Sequence, residues 1–180
     1  MNTIQPVTEQ DIPTLVAMSR TTFADTFAAN TAPADMAEFL ATAYAPAKLL
    51  AELRTPGTTF WFAMQDGVPA GYLKLNVDAA VTADVHTPNA LELERIYILP
   101  EHKHQGLGSL LYAHALKQAQ ALHKSAIALG VWEHNETAKA FYTKRGFRKV
   151  GEHAFVVGGD PQHDWLMAAK VSAPAAGIRD

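Results

Sequence analysis

The sequence predicts one α/β domain of α+β-like character, in which a central, mixed and twisted sheet of about six or seven strands is flanked by four or five helices. In the first quarter of the chain, apolar residues recur at helical spacing. After Pro56-Gly57 the pattern changes to short runs of aromatic and β-branched residues separated by turn signals. A strand hairpin followed by β-α-β-α-β units favours a mixed sheet with helices on both faces.

The first half of the chain begins with a short apolar segment and then a capped helix. Thr8 is a typical N-cap residue, and Asp11 three residues later completes an imperfect capping box. Asp66-Gly67 between two apolar runs is the signal of a hairpin turn. The predicted elements are a strand at 4–7, helices at 9–29, after Pro33 and around 49–53, and hairpin strands at 58–65 and 68–77.

The second half predicts strands at 91–99, 125–132, 147–157 and 165–170, helices at 106–123 and 136–145, and a loop at 79–89. Because strands 91–99 and 125–132 flank one helix, we expect them to be parallel neighbours joined by a right-handed crossover. The domain is expected to span 1–172, and 173–180, which begins with the small residues of 173–177, is expected to form a flexible tail.

Composition narrows the classes of function. The net charge is −3, without the basic surplus that a nucleic-acid-binding surface needs to neutralise phosphates. No apolar run is long enough for a membrane span, and we expect no signal peptide. Cysteine is absent, which excludes disulfides and a thiol nucleophile and fits a cytoplasmic protein. The eight histidines are scattered without metal-ligand spacing, so we expect no metal.

The loop 103–109 has the features of an anion site. It joins a strand to a helix and contains Gly106 and Gly108, which let the backbone approach a ligand closely. Successive N–H groups at a helix N-terminus attract phosphate, and Lys103 adds a cation. The alternative is a strand-to-helix turn that merely needs glycine. The dinucleotide fingerprint fails because position 111 is Leu, and no Gly-Lys-Ser/Thr follows to make a P-loop.

Three segments together carry a resemblance to a known family. The loop resembles the R/Q-x-x-G-x-G/A signature of GNAT acetyltransferases, with Lys103 at the position usually held by Arg or Gln. Segment 93–101 resembles the strand before this loop in polyamine acetyltransferases, and 135–147 resembles the family's N-x-x-A-x-x-F-Y-x-x-x-G-F segment. Within the family the chain is most similar to the bacterial PaiA type of spermidine/spermine acetyltransferases, through 91–98, 129–136 and 159–168.

The resemblance implies a GNAT fold with acetyl-CoA as cosubstrate. In that fold strand 91–99 splays from its parallel neighbour 125–132, so that its unpaired peptide groups can bond the pantetheine arm. Asn135 is either a plain helix N-cap or a coenzyme contact. The implied coenzyme-binding residues are Ile96, Tyr97, Ile98, Lys103, His104, Gln105, Gly106, Leu107, Gly108, Ser109, Asn135 and Tyr142.

The resemblance also implies catalytic residues. Tyr142 matches the family tyrosine that protonates the leaving thiolate; outside the motif it would be a core aromatic. Glu94 matches a glutamate credited as base through water; the alternative is a salt-bridged residue paired with Arg95 or Lys74. By strand alternation we expect Glu92, Glu94, Ile96 and Ile98 on one face, where the two acids would raise each other's pKa and attract a cationic amine.

Expected substrate contacts are Glu92, Glu94 and Trp132, although Trp132 could equally be a core residue. The favoured hypothesis is an N-acetyltransferase acting on a small primary amine, preferably a polyamine. The alternatives are an enzyme acting on a protein N-terminus or an antibiotic amine, and a non-catalytic acetyl-CoA-binding module. A homodimer is expected by analogy with the family alone.

Overall fold

A computed structural model describes residues 1–82 and 84–173 of the chain. Its strands are β1 (Asn2–Pro6), β2 (Thr58–Gln65), β3 (Val68–Asn76), β4 (Ala90–Ile98), β5 (Ala126–Trp132), β6 (Arg148–Val157) and β7 (Asp160–Lys170). Its α-helices are α1 (Ile12–Phe27), α2 (Pro33–Ala43), α3 (Pro46–Arg54), α4 (Leu107–Ala121) and α5 (Glu136–Thr143). The predicted mixed α/β architecture is confirmed. The predicted flexible tail lies, except for residue 173, outside the described residues.

The seven strands form one sheet in the order β1-β2-β3-β4-β5-β7-β6. Neighbours are antiparallel except β4 and β5, whose predicted parallel pairing is confirmed. That pairing is short, because it joins only residues 90–92 to residues 126–128. The remainder of β4 has no β5 partner along this edge, so the two strands open a gap in the middle of the sheet.

Helices cover both faces of the sheet. On one face α4 packs against β3 and β4, with Leu107 and Leu111 buried beside Leu91. On the other face α1 packs against the same two strands, with Phe23 buried in a second core beside Tyr72. Within 1–82 and 84–173 no helix combines the length and apolar character needed to cross a bilayer.

The first helix is shorter than predicted. The stretch expected as one helix divides into a 3₁₀ turn at Glu9–Asp11, helix α1, and a second 3₁₀ turn at Ala28–Asn30. The predicted interaction of Thr8 with Asp11 is present, because the Thr8 backbone N–H and its hydroxyl each donate to Asp11 Oδ2 at 2.8 Å. These contacts fix the entry into α1, the helix that later borders the candidate site.

The last strand is longer than predicted. β7 begins at Asp160 rather than at Trp165, because its first residues pair with β6 in a hairpin that continues to the Val157–Asp160 pair. The sequence obscured this, since residues 160–164 are polar and carry no apolar alternation. The additional residues at the start of β7 bring Asp164 opposite Trp132 of β5.

A β-bulge in β4 overturns the prediction that Glu92, Glu94, Ile96 and Ile98 share one face. Leu75 of β3 pairs with Leu93, but Lys74 pairs with Arg95, so Glu94 is the extra residue. The bulge reverses the alternation beyond it. Ile96 and Ile98 therefore pack on the α4 side with Leu91 and Leu93, while Glu94 faces the α1 side.

Candidate active site

The loop after β4 carries two residues in the left-handed region. A 3₁₀ turn at Pro100–His102 leads to His104 with φ of 62° and Gly106 with φ of 80°. Gly106 is the residue immediately before α4, so the unpaired N–H groups of the first helical turn begin there. A Cβ on Gly108 would lie 3.7 Å from the Phe141 ring, which shows how closely α4 approaches α5.

This loop forms one wall of a cavity of about 540 Å³, which we call the loop cavity. The end of β4 and the first turns of α5 form the other walls. Its lining includes every predicted coenzyme-binding residue except Gln105. It also includes five residues that the sequence did not single out, namely Thr26, His102, Thr137, Ala138 and Phe141. The structure therefore brings residues from three separate segments into one recess.

Two polar side chains of the loop are engaged by neighbours. Gln65 donates from its Nε2 to Gln105 Oε1 at 2.7 Å, and Gln105 Nε2 donates to the Glu101 carbonyl at 3.3 Å. These bonds account for the position of Gln105 outside the cavity lining. Lys103 lines the cavity, but its Nζ donates to Asp25 Oδ2 of α1 at 2.5 Å. Lys103, the cation predicted to bind phosphate, is thus paired with a carboxylate of α1.

Arg145 joins the two helices that flank the loop cavity. Its Nη2 donates to Ser109 Oγ at 2.8 Å and its Nη1 donates to the Phe141 carbonyl at 2.9 Å. Its guanidinium also lies 3.4 Å from the centre of the Phe141 ring. Arg145 therefore places a second cation behind Ser109, a contribution that sequence reasoning missed because it depends on the packing of α5 against α4.

A smaller cavity of about 100 Å³ lies where β4 and β5 separate, and we call it the inner cavity. Phe23 and Phe27 of α1 cover it, and Trp132 and Asp164 close its far side. The residues that line both cavities are Thr26, Ile96, Tyr97, Asn135, Ala138 and Tyr142. The two recesses therefore meet at these residues.

Tyr142 lies at this junction. It is buried, with its ring 5.4 Å from Phe141 and 5.4 Å from Phe147 between ring centres. Burial raises the pKa of Tyr142 well above that of a free tyrosine. Its hydroxyl consequently keeps its proton over the whole physiological pH range and can serve as a donor.

Glu94 lines the inner cavity and is held by cations. Its carboxylate lies 2.5 Å from Lys74 Nζ and 3.8 Å from Arg95, and accepts a hydrogen bond from Asn76 Nδ2 at 2.8 Å. Burial opposes the charge, but Arg95 and Lys74 outweigh it and lower the pKa of Glu94. The expectation of a raised pKa was wrong, because these two cations stabilise the charged form of Glu94. The salt-bridge alternative for Glu94 is present in the structure.

Glu92 takes a different position from the one predicted. It is 4% exposed, and its carboxylate accepts from Asn76 Nδ2 at 2.8 Å, the Thr82 N–H at 3.0 Å and the Thr82 hydroxyl at 2.6 Å. It lines neither the loop cavity nor the inner cavity. Glu92 anchors the loop before β4 and lies away from both cavities, and its predicted contact with a substrate stays a prediction.

Asn135 and Trp132 lie where the two cavities meet β5 and α5. Asn135 Oδ1 accepts from the Ala138 N–H at 3.1 Å, which makes it the N-cap of α5, and it also lines both cavities. Trp132 is buried against Phe27, with ring centres 5.0 Å apart, and lines the inner cavity. Asn135 is therefore both a helix N-cap and a cavity residue, and Trp132 is both a core residue and a cavity residue.

Asp164 is the main functional candidate that the sequence did not single out. It lines the inner cavity beside Tyr142, and burial raises its pKa to about 6 despite a lowering influence from His153. The signal that could have found it is the polar stretch 159–164 within a segment noted only for its resemblance. Among the described residues, no cluster of three or more histidine or acidic side chains could hold a metal.

Comparison with known proteins is consistent with this geometry. Residues 22–147 match the model of the acetyltransferase (GNAT) family. An uncharacterized N-acetyltransferase in the pepI 3′ region of Lactobacillus delbrueckii subsp. lactis is 48% identical over 164 residues, covering 91% of this chain and 94% of its own. A spermidine N(1)-acetyltransferase of Thermoplasma acidophilum is 26% identical, covering 81% of this chain and 87% of its own.

Solved structures show the same fold. The PaiA N-acetyltransferase of Thermoplasma acidophilum in complex with coenzyme A superposes with a TM-score of 0.76 at 24% identity, covering 94% of this chain and 99% of the other. The ribosomal-protein-S18-alanine N-acetyltransferase of Escherichia coli superposes with a TM-score of 0.71 at 17% identity, covering all of both chains. With a family model matched over more than half of its length, this chain belongs to the acetyltransferase (GNAT) family of N-acetyltransferases, enzymes whose cosubstrate is acetyl-CoA.

Proposed function

We propose that the protein moves the acetyl group of acetyl-CoA to a primary amine of a small polyamine such as spermidine or spermine. The observation that carries the proposal is the meeting of the two cavities. The loop cavity has phosphate-compatible backbone, and the inner cavity has the partly buried carboxylates of Glu94 and Asp164. Tyr142 lies between them, which is where a donor thioester and an acceptor amine would have to meet.

The loop cavity fits the coenzyme through backbone groups. The N–H groups from His104 to Ser109, with the N-terminus of α4, suit the pyrophosphate. The unpaired edge of β4 offers peptide groups of Ile96, Tyr97 and Ile98 to the amides of the pantetheine arm. Bound acetyl-CoA supplies an activated thioester. The side chains of this chain then have to orient the amine and move its protons.

Tyr142 is proposed as the general acid. A thiolate leaves more readily when it takes up a proton, and Tyr142 holds one in a buried position that lines both cavities. Backbone N–H groups near Ile96 would stabilise the negative oxygen of the transition state. Glu94 is proposed to act as a fixed negative charge in the inner cavity and not as the base, because its two cationic neighbours make it a weak proton acceptor.

The inner cavity favours a slender cationic amine. Its carboxylates attract an ammonium group, and the faces of Phe23, Phe27 and Trp132 suit a cation and its methylene chain. A volume of about 100 Å³ holds the end of an aminoalkyl chain but not a bulky antibiotic. The spermidine acetyltransferase among the relatives supports a polyamine. The Escherichia coli structural neighbour, which acts on a ribosomal protein alanine, supports a protein N-terminus as the second candidate.

The proposal is tested by thiol release from acetyl-CoA in the presence of spermidine, spermine or a peptide with N-terminal alanine. We expect turnover with at least one polyamine and a lower kcat/KM for the peptide. Preference for the peptide would replace the polyamine assignment with the second candidate. Tight acetyl-CoA binding without turnover of any amine would leave only a non-catalytic binding module. A cytoplasmic location and a homodimer stay predictions.

A further inference from the structure

Asp164 projects from β7 over a site on β5 that has no side chain. Its register partners are Trp132 on β5 and His153 on β6. A Cβ built on Gly130 would lie 3.5 Å from Asp164 Oδ2, which is ordinary van der Waals distance and places the carboxylate directly over this glycine. The Asp164 side chain is 15% exposed and lines the inner cavity with Tyr142.

One carboxylate oxygen of Asp164 lacks a donor. Asp164 Oδ1 is buried and accepts no hydrogen bond from the residues at 1–82 and 84–173. A buried carboxylate oxygen is normally bonded, so the Asp164 carboxylate has unused capacity to accept a hydrogen bond. Glu94, the other carboxylate of the cavity, already interacts with Lys74, Arg95 and Asn76.

The charges around Asp164 come from several elements. The nearest is His153, whose Nε2 lies 3.9 Å from Asp164 Oδ2 and 4.0 Å from Asp84. The remaining titratable groups that face it or share its cavity are Glu133, His163, Glu94, Arg95, Tyr97 and Tyr142. Burial, only partly offset by His153 and His163, leaves Asp164 with a higher proton affinity than Glu94, and pairs of carboxylates whose pKa values differ in this way commonly divide catalytic roles.

We propose that Asp164 is the catalytic base, whose carboxylate receives the ammonium group of the acceptor and takes the proton that frees the nitrogen to attack. This inference rests on the proposed acetyl transfer and deepens it. The nitrogen lone pair forms the C–N bond to the acetyl carbonyl carbon while the C–S bond breaks and the sulfur keeps its electron pair. The nitrogen loses two protons. One goes to Asp164 before the attack, and the second leaves as the amide forms and returns to the Tyr142 oxygen, whose own proton has gone to the sulfur.

The test is the pH dependence of kcat/KM for the polyamine that the wild-type enzyme uses best. Wild type should lose activity below about pH 6, where Asp164 becomes protonated. Asp164→Asn should lower kcat/KM at pH 8 by about 100-fold or more. It should also lose the acid limb of the pH profile, which is the fall in kcat/KM below about pH 6. Glu94→Gln is the matched control, because it removes the other cavity carboxylate and should retain the limb.

Two further measurements distinguish the loss of a catalytic base from the loss of folding. Acetyl-CoA affinity and melting temperature show whether Asp164→Asn is folded. A ¹³C NMR titration of the wild-type aspartates, with Asp164 identified by its loss in the variant, should give a pKa near 6. Turnover by a folded Asp164→Asn variant with the acid limb intact, or an Asp164 pKa near that of a free aspartate, overturns the inference alone. Absence of wild-type turnover overturns the proposed function and the inference with it.

Discussion

Glu94 and Asp164 lie in one small cavity but in opposite electrostatic surroundings. Lys74 and Arg95 stabilise the charge on Glu94, whereas burial penalises the charge on Asp164 more than His153, 3.9 Å away, stabilises it. The sequence predicted Glu94 as a base, with a salt bridge to Arg95 or Lys74 as the alternative that the structure contains. It could not identify Asp164, because the partial burial of that side chain depends on a strand end that only tertiary pairing creates.

The raised pKa of Asp164 implies that its charge destabilises the fold. Its folded pKa of about 6 lies above the unfolded value of about 3.9. The stability that the protonated carboxyl contributes is therefore fully present below pH 4 and is lost as the pH rises through 6. Asp164→Asn should therefore be more stable than wild type at pH 8, by roughly 3 kcal/mol, and nearly equal to it at pH 4. Urea unfolding at both pH values measures this.

Glu94→Gln provides the opposite control. The lowered pKa of Glu94 contributes stability above the unfolded pKa, which is lost as the pH falls. Removing that charge should destabilise the protein at pH 8 and matter less at pH 4. If both variants changed stability in the same direction at pH 8, the assigned environments of the two carboxylates would be incorrect.

Tyr142→Phe isolates the hydroxyl from the ring. The ring packs in the core near Phe141 and Phe147, and phenylalanine preserves that packing. We expect kcat to fall by about 100-fold with little change in acetyl-CoA affinity, because only the proton donor is lost. Steady-state kinetics with thiol detection measures the effect. An unchanged rate at every pH would show that Tyr142 is only a core aromatic.

The elements themselves followed the sequence closely where their periodicity was strong. Helix α4 and strand β5 lie within two residues of their predicted limits. The errors arose where local pattern does not determine geometry. The bulge at Glu94 adds one residue against β3 and reverses the faces of β4, and the polar start of β7 is a strand only because β6 and β5 pair with it.

The loop before α4 provides a test at the scale of an element. Gly106 and Gly67 both have positive φ, at 80° and 83°, and a Cβ on either would meet no atom within 4 Å. Alanine at each should therefore cost about 1 kcal/mol through backbone strain alone. Only Gly106→Ala should weaken acetyl-CoA binding, measured by calorimetry, because Gly67 lies in the β2–β3 turn. Equal affinities in the two variants would argue against a backbone phosphate site.

At the scale of the whole molecule, the site arises from one topological feature. The parallel pairing of β4 with β5 ends after residues 90–92, and the gap beyond it joins the inner cavity to the loop cavity. The sequence predicted the parallel neighbours through the crossover rule, and the family resemblance implied their splay. The volume of the inner cavity could not be predicted, because it depends on how Phe23 and Phe27 of α1 cover the gap.

The most direct test is a crystal structure of the protein with coenzyme A and the polyamine that it acetylates best. We predict the pyrophosphate at the backbone N–H groups of residues 104–109. We also predict the amine nitrogen in the inner cavity at about 3 Å from an Asp164 carboxylate oxygen, on the side facing Tyr142. An amine bound outside the inner cavity, or coenzyme A bound away from the loop after β4, would contradict the account.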